Sequence, residues 1–342
     1  MVKRILAGLA IILVLCLATL FVLGIVWQST SHGKLDFKAA IILKFRGALT
    51  KQTPRTPARM RADESARTKS LQGAPDPGAS IREKSIPGPG GKLALRVYTP
   101  QGDGPFPLVL FFHGGGWVIG SLDSGQAACS TIAAAARAVV VSVDYRLAPE
   151  HPFPAALDDC YAALEWAAAH GAEIGGNPAR IGVAGTSAGA NLAAATALAA
   201  RDRKGPRVYS QALVYPAVNL WAFDTESFRL FSDGYALSRE DVDFFVGCYI
   251  PDAAARKNPY ASPLLAPSLN GLPPALVVTA GFDVLRDEGR EYARRLEAAG
   301  VACERAEYPT MVHGFVNMGR LFPEAADAIL RVASFLAANL RH

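Results

Sequence analysis

The stretch Ile181-Gly182-Val183-Ala184-Gly185-Thr186-Ser187-Ala188-Gly189-Ala190, "IGVAGTSAGA", changes character at its centre. An apolar run suited to a buried strand meets Gly-Thr-Ser-Ala-Gly, and alanine-rich sequence follows through residue 200. A G-x-S-x-G segment between strand and helix holds its serine in a strained turn, with the hydroxyl projecting above the helix N-terminus. Ser187 is therefore the candidate nucleophile.

A serine hydroxyl attacks only when a base removes its proton and an acid orients that base. Six histidines are available. His32 adjoins an apolar N-terminal segment, His342 is terminal, His170 ends a polar helix and His151 sits in the proline-rich "APEHPFPA". His113 and His313 both follow apolar strand sequences. Where the elbow serine is the nucleophile, the chain order is serine, acid, histidine. His313 in "TMVHGF" fits that order, while His113 suits a prop for the loop beside it. For the acid, "GFDVLRDEG" follows a strand over 276–280. Asp283 stands at that strand's mouth, and Asp287, a turn into the next helix, is the fallback.

Phe111-Phe112-His113-Gly114-Gly115-Gly116-Trp117, "FFHGGGW", ends another apolar run with three glycines. Glycine packs nothing and costs backbone entropy, so a triplet belongs where bare backbone is needed. Acyl transfer builds negative charge on an oxygen, and fixed N–H donors lower that barrier. Gly114, Gly115, Gly116 and Ala188 are the expected oxyanion donors. Trp117, Tyr215 and Phe282 fall near the same strand ends, as pocket lining or as plain core.

Around these motifs a rhythm runs from residue 81 onward. Strand candidates Leu93–Tyr98, Leu108–Phe112, Val139–Asp144, Ile181–Gly185, Ala212–Tyr215, Leu276–Ala280 and Cys303–Tyr308 alternate with helical stretches near 126–137, 156–170, 188–201, 286–299 and 324–340. Such runs separated by helices indicate a parallel sheet covered on both faces, with ligands at the carboxyl ends of the strands. Residues 219–262 break the rhythm and read as an inserted lid. Asp144, Arg146 and Glu150 are expected to form a polar network, and Asn191 to tie down the nucleophile helix.

The chain of 342 residues has a net charge of +5, but residues 1–80 carry 12 Lys and Arg against 4 Asp and Glu, and the rest 23 against 26. The main domain has no basic stripe, so nucleic acid is excluded as a partner. Five scattered cysteines without a C-x-x-C pattern read as buried small hydrophobes, neither metal site nor disulfide framework, with one bridged pair as the option for an exported domain. Residues 5–27 are uncharged and long enough to span a bilayer. Ser29-Thr30-Ser31 is a weak cleavage site, which favours an uncleaved anchor. Lys3, Arg4 and the amino terminus outnumber Lys34 and Lys38 near the span, placing the main domain on the periplasmic side of an inner membrane; counting out to Lys44 and Arg46 reverses the balance. Residues 33–47 suit a helix at a membrane surface or on the main domain. With Pro54, Pro57, Pro75 and Pro77, residues 50–80 are expected to hold short, broken helices.

"HGGGW", "DYRLAPEHPFPAA", "GTSAGAN", "SPL", "GFDVLRDEG" and "VHGF" occur in the order of the hormone-sensitive-lipase family of α/β-hydrolases, the bacterial family IV esterases, which residues 80–342 resemble. The resemblance implies an α/β-hydrolase fold with a mostly parallel eight-stranded sheet. It also implies a Ser187–Asp283–His313 triad, the 114–116 glycines with Ala188 as oxyanion hole, and a cap from N-terminal helices plus an insertion. Thr186 and Ala190 stand where many members carry Asp and Gly, the GTSAG variant. An anchor before such a domain is similar to arylacetamide deacetylases. The expected organisation is 1–30 tip and anchor, 31–80 linker and cap helices, and 81–342 catalytic domain. The expected activity is hydrolysis of short- to medium-chain acyl esters without metal or cofactor. Amide deacetylation is the alternative within catalysis. A small-ligand receptor, like the gibberellin receptors that lack a working histidine, is the alternative outside it. Expected partners are the ester, the bilayer and, as an option, a second copy in a homodimer.

Overall fold

The computed structural model describes residues 2–50 and 55–341; Pro54 and His342 lie outside the described residues. Helix α1 (Val2–Gln28) leads into a two-stranded hairpin, β1 (Ser29–Thr30) with β2 (Gly33–Lys34), and then α2 (Phe37–Thr50) and α3 (Pro57–Leu71). The main body runs β3 (Ala79–Gly88), β4 (Gly91–Pro100), β5 (Phe106–Phe112), α4 (Gln126–Ala136), β6 (Val139–Val143), α5 (Ala155–His170), β7 (Gly176–Thr186) and α6 (Ala188–Asp202). It continues with β8 (Val208–Val214), α7 (Glu226–Phe231), α8 (Arg239–Tyr249), β9 (Ala275–Phe282), α9 (Arg286–Ala298), β10 (Cys303–Val312) and α10 (Pro323–Leu340).

One eight-stranded sheet has the order β10-β9-β8-β7-β5-β6-β4-β3, parallel from β10 to β6 and antiparallel at β4 and β3. Its central strands read as unbroken apolar runs because both faces are covered. Helices α4 and α10 pack together, as do α5 and α6. Every residue of α6 from Ala188 to Ala200 is buried, which only small side chains permit so close to a sheet. The eighth strand, β3, has no counterpart among the apolar runs. It is an edge strand, exposed over Ser80–Glu83, and its polar residues hide it from a search for buried strands.

Three expectations need correction. Residues 57–71 form one helix of 15 residues, not broken pieces. Pro57 occupies its first turn, where no N–H is required, and Thr56 caps it by accepting from Arg59 N. The three residues Asp144, Arg146 and Glu150 form no common network: Arg146 pairs with the buried Asp159 at 2.8 Å, and Glu150 pairs with Arg61 at 2.6 Å. Only Cys129 and Cys160 are buried; Cys248 and Cys303 are half-buried and Cys16 is exposed on α1.

Among the described residues one helix is long and apolar enough to cross a membrane, over Leu9–Gln28. Its apolar side chains stand exposed from the body of the molecule.

Candidate active site

The carboxyl ends of β5, β7, β9 and β10 converge on one cavity. At the end of β7, Ser187 has φ 54° and ψ −120°, a conformation that side chains rarely adopt. Such strain costs on the order of 1–3 kcal/mol and persists only where the surroundings over-determine it. Here they do. Ser187 N donates to Val214 O at 2.9 Å, and Asn191 N donates to Ser187 O at 3.0 Å. A Cβ on Gly185 would lie 2.3 Å from Gly189 O, and one on Gly189 only 2.0 Å from Phe112 O. The elbow therefore closes only with both glycines. Asn191 Nδ2 holds α6 in place by donating to the carbonyls of Ala217 and Ala261.

His313 bridges Ser187 and Asp283. Its Nε2 is 2.9 Å from Ser187 Oγ and its Nδ1 is 2.7 Å from Asp283 Oδ2. An ionised carboxylate only accepts, so Nδ1 carries the proton and Nε2 is free to accept from the serine hydroxyl. Asp283 is fully buried, and its Oδ1 accepts from Leu285 N at 2.9 Å. The Tyr215 ring supports the imidazole from one side, with centroids 4.6 Å apart. Asp287, the other candidate, pairs with Arg286 and accepts from Ser227 N at 2.7 Å.

The glycine loop borders the serine. Gly114, Gly115, Gly116 and Ala188 all line the cavity with Ser187. Among the described residues no backbone hydrogen bond engages the N–H of Gly114, Gly115 or Ala188. Gly115 has φ 128° and accepts from Val118 N and Ile119 N, a turn in which a Cβ would lie 2.1 Å from Ile119 O. His113 is buried, stacks on Tyr145 at 4.3 Å and places Nδ1 2.8 Å from Gly114 O. Burial lowers its pKa, so a neutral ring props the loop.

The cavity of about 260 Å³ is mainly apolar. Of the three residues left open between pocket lining and core, Trp117 and Tyr215 line it and Phe282 does not. The Phe282 ring turns away at the end of β9 and packs on Phe231 and Tyr235, with centroids 5.5 and 5.6 Å off. The far wall comes from α2 (Ala39, Ile42, Leu43), α3 (Met60, Glu64) and α8 (Phe245). Sequence reasoning missed the α3 residues, although Met60, Glu64 and Thr68 recur at helical spacing after the Thr56–Pro57 start signal. Arg61 fastens α3 to the glycine loop. Its Nε donates to Val118 O at 2.8 Å, Nη2 to Ala148 O at 3.0 Å, and the guanidinium forks onto Glu150 at 2.8 and 2.6 Å. That pairing lowers the Glu150 pKa to about 2. Another unforeseen residue, Glu288, is wholly buried and accepts from Val218 N at 2.6 Å and Asn219 N at 3.3 Å. Burial raises its pKa to about 8 against the pull of these two donors.

A serine elbow at a strand end, relayed through histidine to a buried aspartate, defines a hydrolase of the α/β type. Residues 109–317 match the family described as alpha/beta hydrolase fold. The chain belongs to that family, in its hormone-sensitive-lipase-like branch. It is 44% identical over 266 residues to "Carboxylic ester hydrolase LipN" of Mycobacterium tuberculosis, covering 76% of this chain and 70% of that one. It is 43% identical over 270 residues to "Carboxylesterase NlhH" of the same organism, covering 77% and 84%. Among solved structures, a thermostable esterase from Pseudomonas putida superposes with a TM-score of 0.82 at 38% identity, covering 88% of this chain and 97% of that one.

Proposed function

We propose that this chain is a serine carboxylesterase for short- to medium-chain acyl esters, held at a membrane by α1. The observation that carries the reading is the relay at 2.7 and 2.9 Å from Asp283 through His313 to Ser187. His313 takes the Ser187 proton as Oγ attacks the ester carbonyl. Backbone N–H groups of the glycine loop and Ala188 receive the oxyanion, and His313 returns the proton to the departing alcohol. Water repeats the sequence on the acyl-enzyme. A volume of 260 Å³ is below the usual ~300–1,000 Å³ of small-molecule pockets, which suits modest acyl groups. The relatives named as ester hydrolases support the reaction class.

The exposed apolar side chains of α1 support the anchor, and Lys3 and Arg4 before it favour a body on the periplasmic side. The test is labelling of the intact protein by a fluorophosphonate, followed by a chain-length series of 4-nitrophenyl esters. Stoichiometric labelling of Ser187 and falling rates beyond medium chains are expected. An unlabelled protein, or one that turns over no ester, overturns the reading.

A further inference from the structure

Helix α2 has two apolar faces with different neighbours. Ala39, Ile42 and Leu43 form cavity wall, while Phe37, Ile41 and Phe45, spaced four apart, point the opposite way. The Phe37 ring lies 5.6 Å from that of Phe21 on α1, and a Cβ on Gly24 would lie 2.4 Å from Phe37 and 3.2 Å from Ile41. Phe45 extends the stripe and is 52% exposed. Phe21 and Gly24 lie seven and four residues before the end of α1 at Gln28, about 10 and 6 Å along its axis. The start of α2 thus sits alongside the last turns of the apolar span, at the depth of about 5–10 Å that interfacial helices reach.

The joint is fixed. Leu35 N donates to Gln28 O at 2.8 Å, Asp36 N to Thr310 O at 2.9 Å, and Lys38 Nζ to Leu321 O at 2.6 Å. The first turn of α2 is capped by Asp36, which accepts from Lys38 N and Ala39 N. No free linker separates the span from the site: Leu43 is six residues, about 9 Å, beyond the start of α2.

We propose that α2 lies in the bilayer interface and that the cavity opens toward it, so that the enzyme draws its ester from the lipid phase. This rests on the reading of α1 as an anchor and of the site as an esterase. The substrate class is an ester that partitions into the membrane, with its acyl group entering past Ile42 and Leu43.

The test uses the full chain in phosphatidylcholine vesicles and two acetyl esters, 4-nitrophenyl acetate in water and hexadecyl acetate in the bilayer. Wild type hydrolyses both. Phe45→Asp should keep its rate on the dissolved ester within about twofold and lose fivefold or more on hexadecyl acetate. Phe45→Leu should restore the latter. Equal effects of Phe45→Asp on the two esters, whether loss or none, overturn the proposal. If alkaline carbonate strips the wild-type protein from the vesicles, the anchor reading fails. If 4-nitrophenyl acetate is not cleaved, the esterase reading fails.

Discussion

The amide of Ser187 donates to the carbonyl of Val214 across 2.9 Å, from the end of β7 to the end of β8. This bond fixes the elbow, and it also removes the nucleophile's own N–H from any role at the oxyanion. Ala188 and the glycine loop line the cavity beside it and are the donors we propose for that charge. Ser187→Ala keeps the backbone bond and deletes only the hydroxyl. Turnover of 4-nitrophenyl butyrate should fall about 10⁴-fold or more in kcat, with the circular-dichroism melt unchanged.

Asp283 and Asp287 are four residues apart in sequence but serve different partners. Asp283→Asn presents an amide to His313 Nδ1 and disturbs the tautomer that leaves Nε2 free to accept. A kcat loss on the order of 10³–10⁴-fold is expected. Asp287→Asn weakens contacts to Arg286 and Ser227 and should act mainly on the melting temperature. Equal kcat losses for two folded variants would reassign the acid.

Gly115→Val places a branched side chain at φ 128°, where even a Cβ would lie 2.1 Å from Ile119 O. The loop must shift, and its N–H groups with it. kcat should drop by roughly 10²-fold or more, while KM changes less, because these donors act chiefly on developing charge. Gly114→Ala, whose Cβ would lie 2.9 Å from Thr186 O, is the gentler companion and should lose less.

Arg61 ties α3 to four acceptors, Val118 O in the loop after Trp117 and Ala148 O and the two Glu150 carboxylate oxygens in the segment after β6. Arg61→Lys keeps the charge but cannot make the fork onto Glu150, so it should not substitute for arginine. The cap helix should loosen, raising KM by roughly three- to tenfold with a smaller change in kcat, the worth of about one net hydrogen bond. Steady-state kinetics on the same ester decide this.

Glu288 makes stability depend on pH. Its native pKa, about 8, is above the ordinary carboxylate value, so the native state binds the proton more tightly than the unfolded chain. Its contribution is intact below the unfolded pKa, near 4.3, and is lost as pH rises through about 8. The slope reaches at most about 1.4 kcal/mol per pH unit. Glu288→Gln, which still accepts from Val218 and Asn219, should flatten the fall in urea-unfolding free energy between pH 5 and 8.

Much of this is legible in the sequence alone. The strands bearing Ser187, Asp283 and His313 are continuous apolar runs, and their motifs fall where a parallel sheet puts its chemistry. The edge strand over Ala79–Gly88 was not legible, since half its surface meets water and its alternation is blurred by Arg82, Glu83 and Lys84. Phe282 could not be decided from sequence, since pocket lining and core packing ask for the same apolar ring at a strand end; it packs on Phe231 and Tyr235. Helix α3 was hidden by composition, because proline count says nothing of position and Pro57 stands at the one turn that tolerates it. Arg61 and Glu288 carry no motif; their partners lie up to 89 residues away in sequence and become visible only in the fold.

The two ends of the Gly185–Gly189 turn and its centre answer to different pressures. With backbone oxygens 2.3 and 2.0 Å from where a Cβ would stand, the glycines are obligatory for assembly, whatever the protein later does. If residues 185–189 were randomised and survivors sorted only for folding, glycine would return at both ends, while position 187 would keep whatever tolerates its φ of 54°, glycine foremost, with no demand for a hydroxyl. Sorting the same library for ester cleavage would add serine alone. A sequence that keeps the two glycines and has lost the serine is therefore the expected fossil of an enzyme whose scaffold outlived its chemistry.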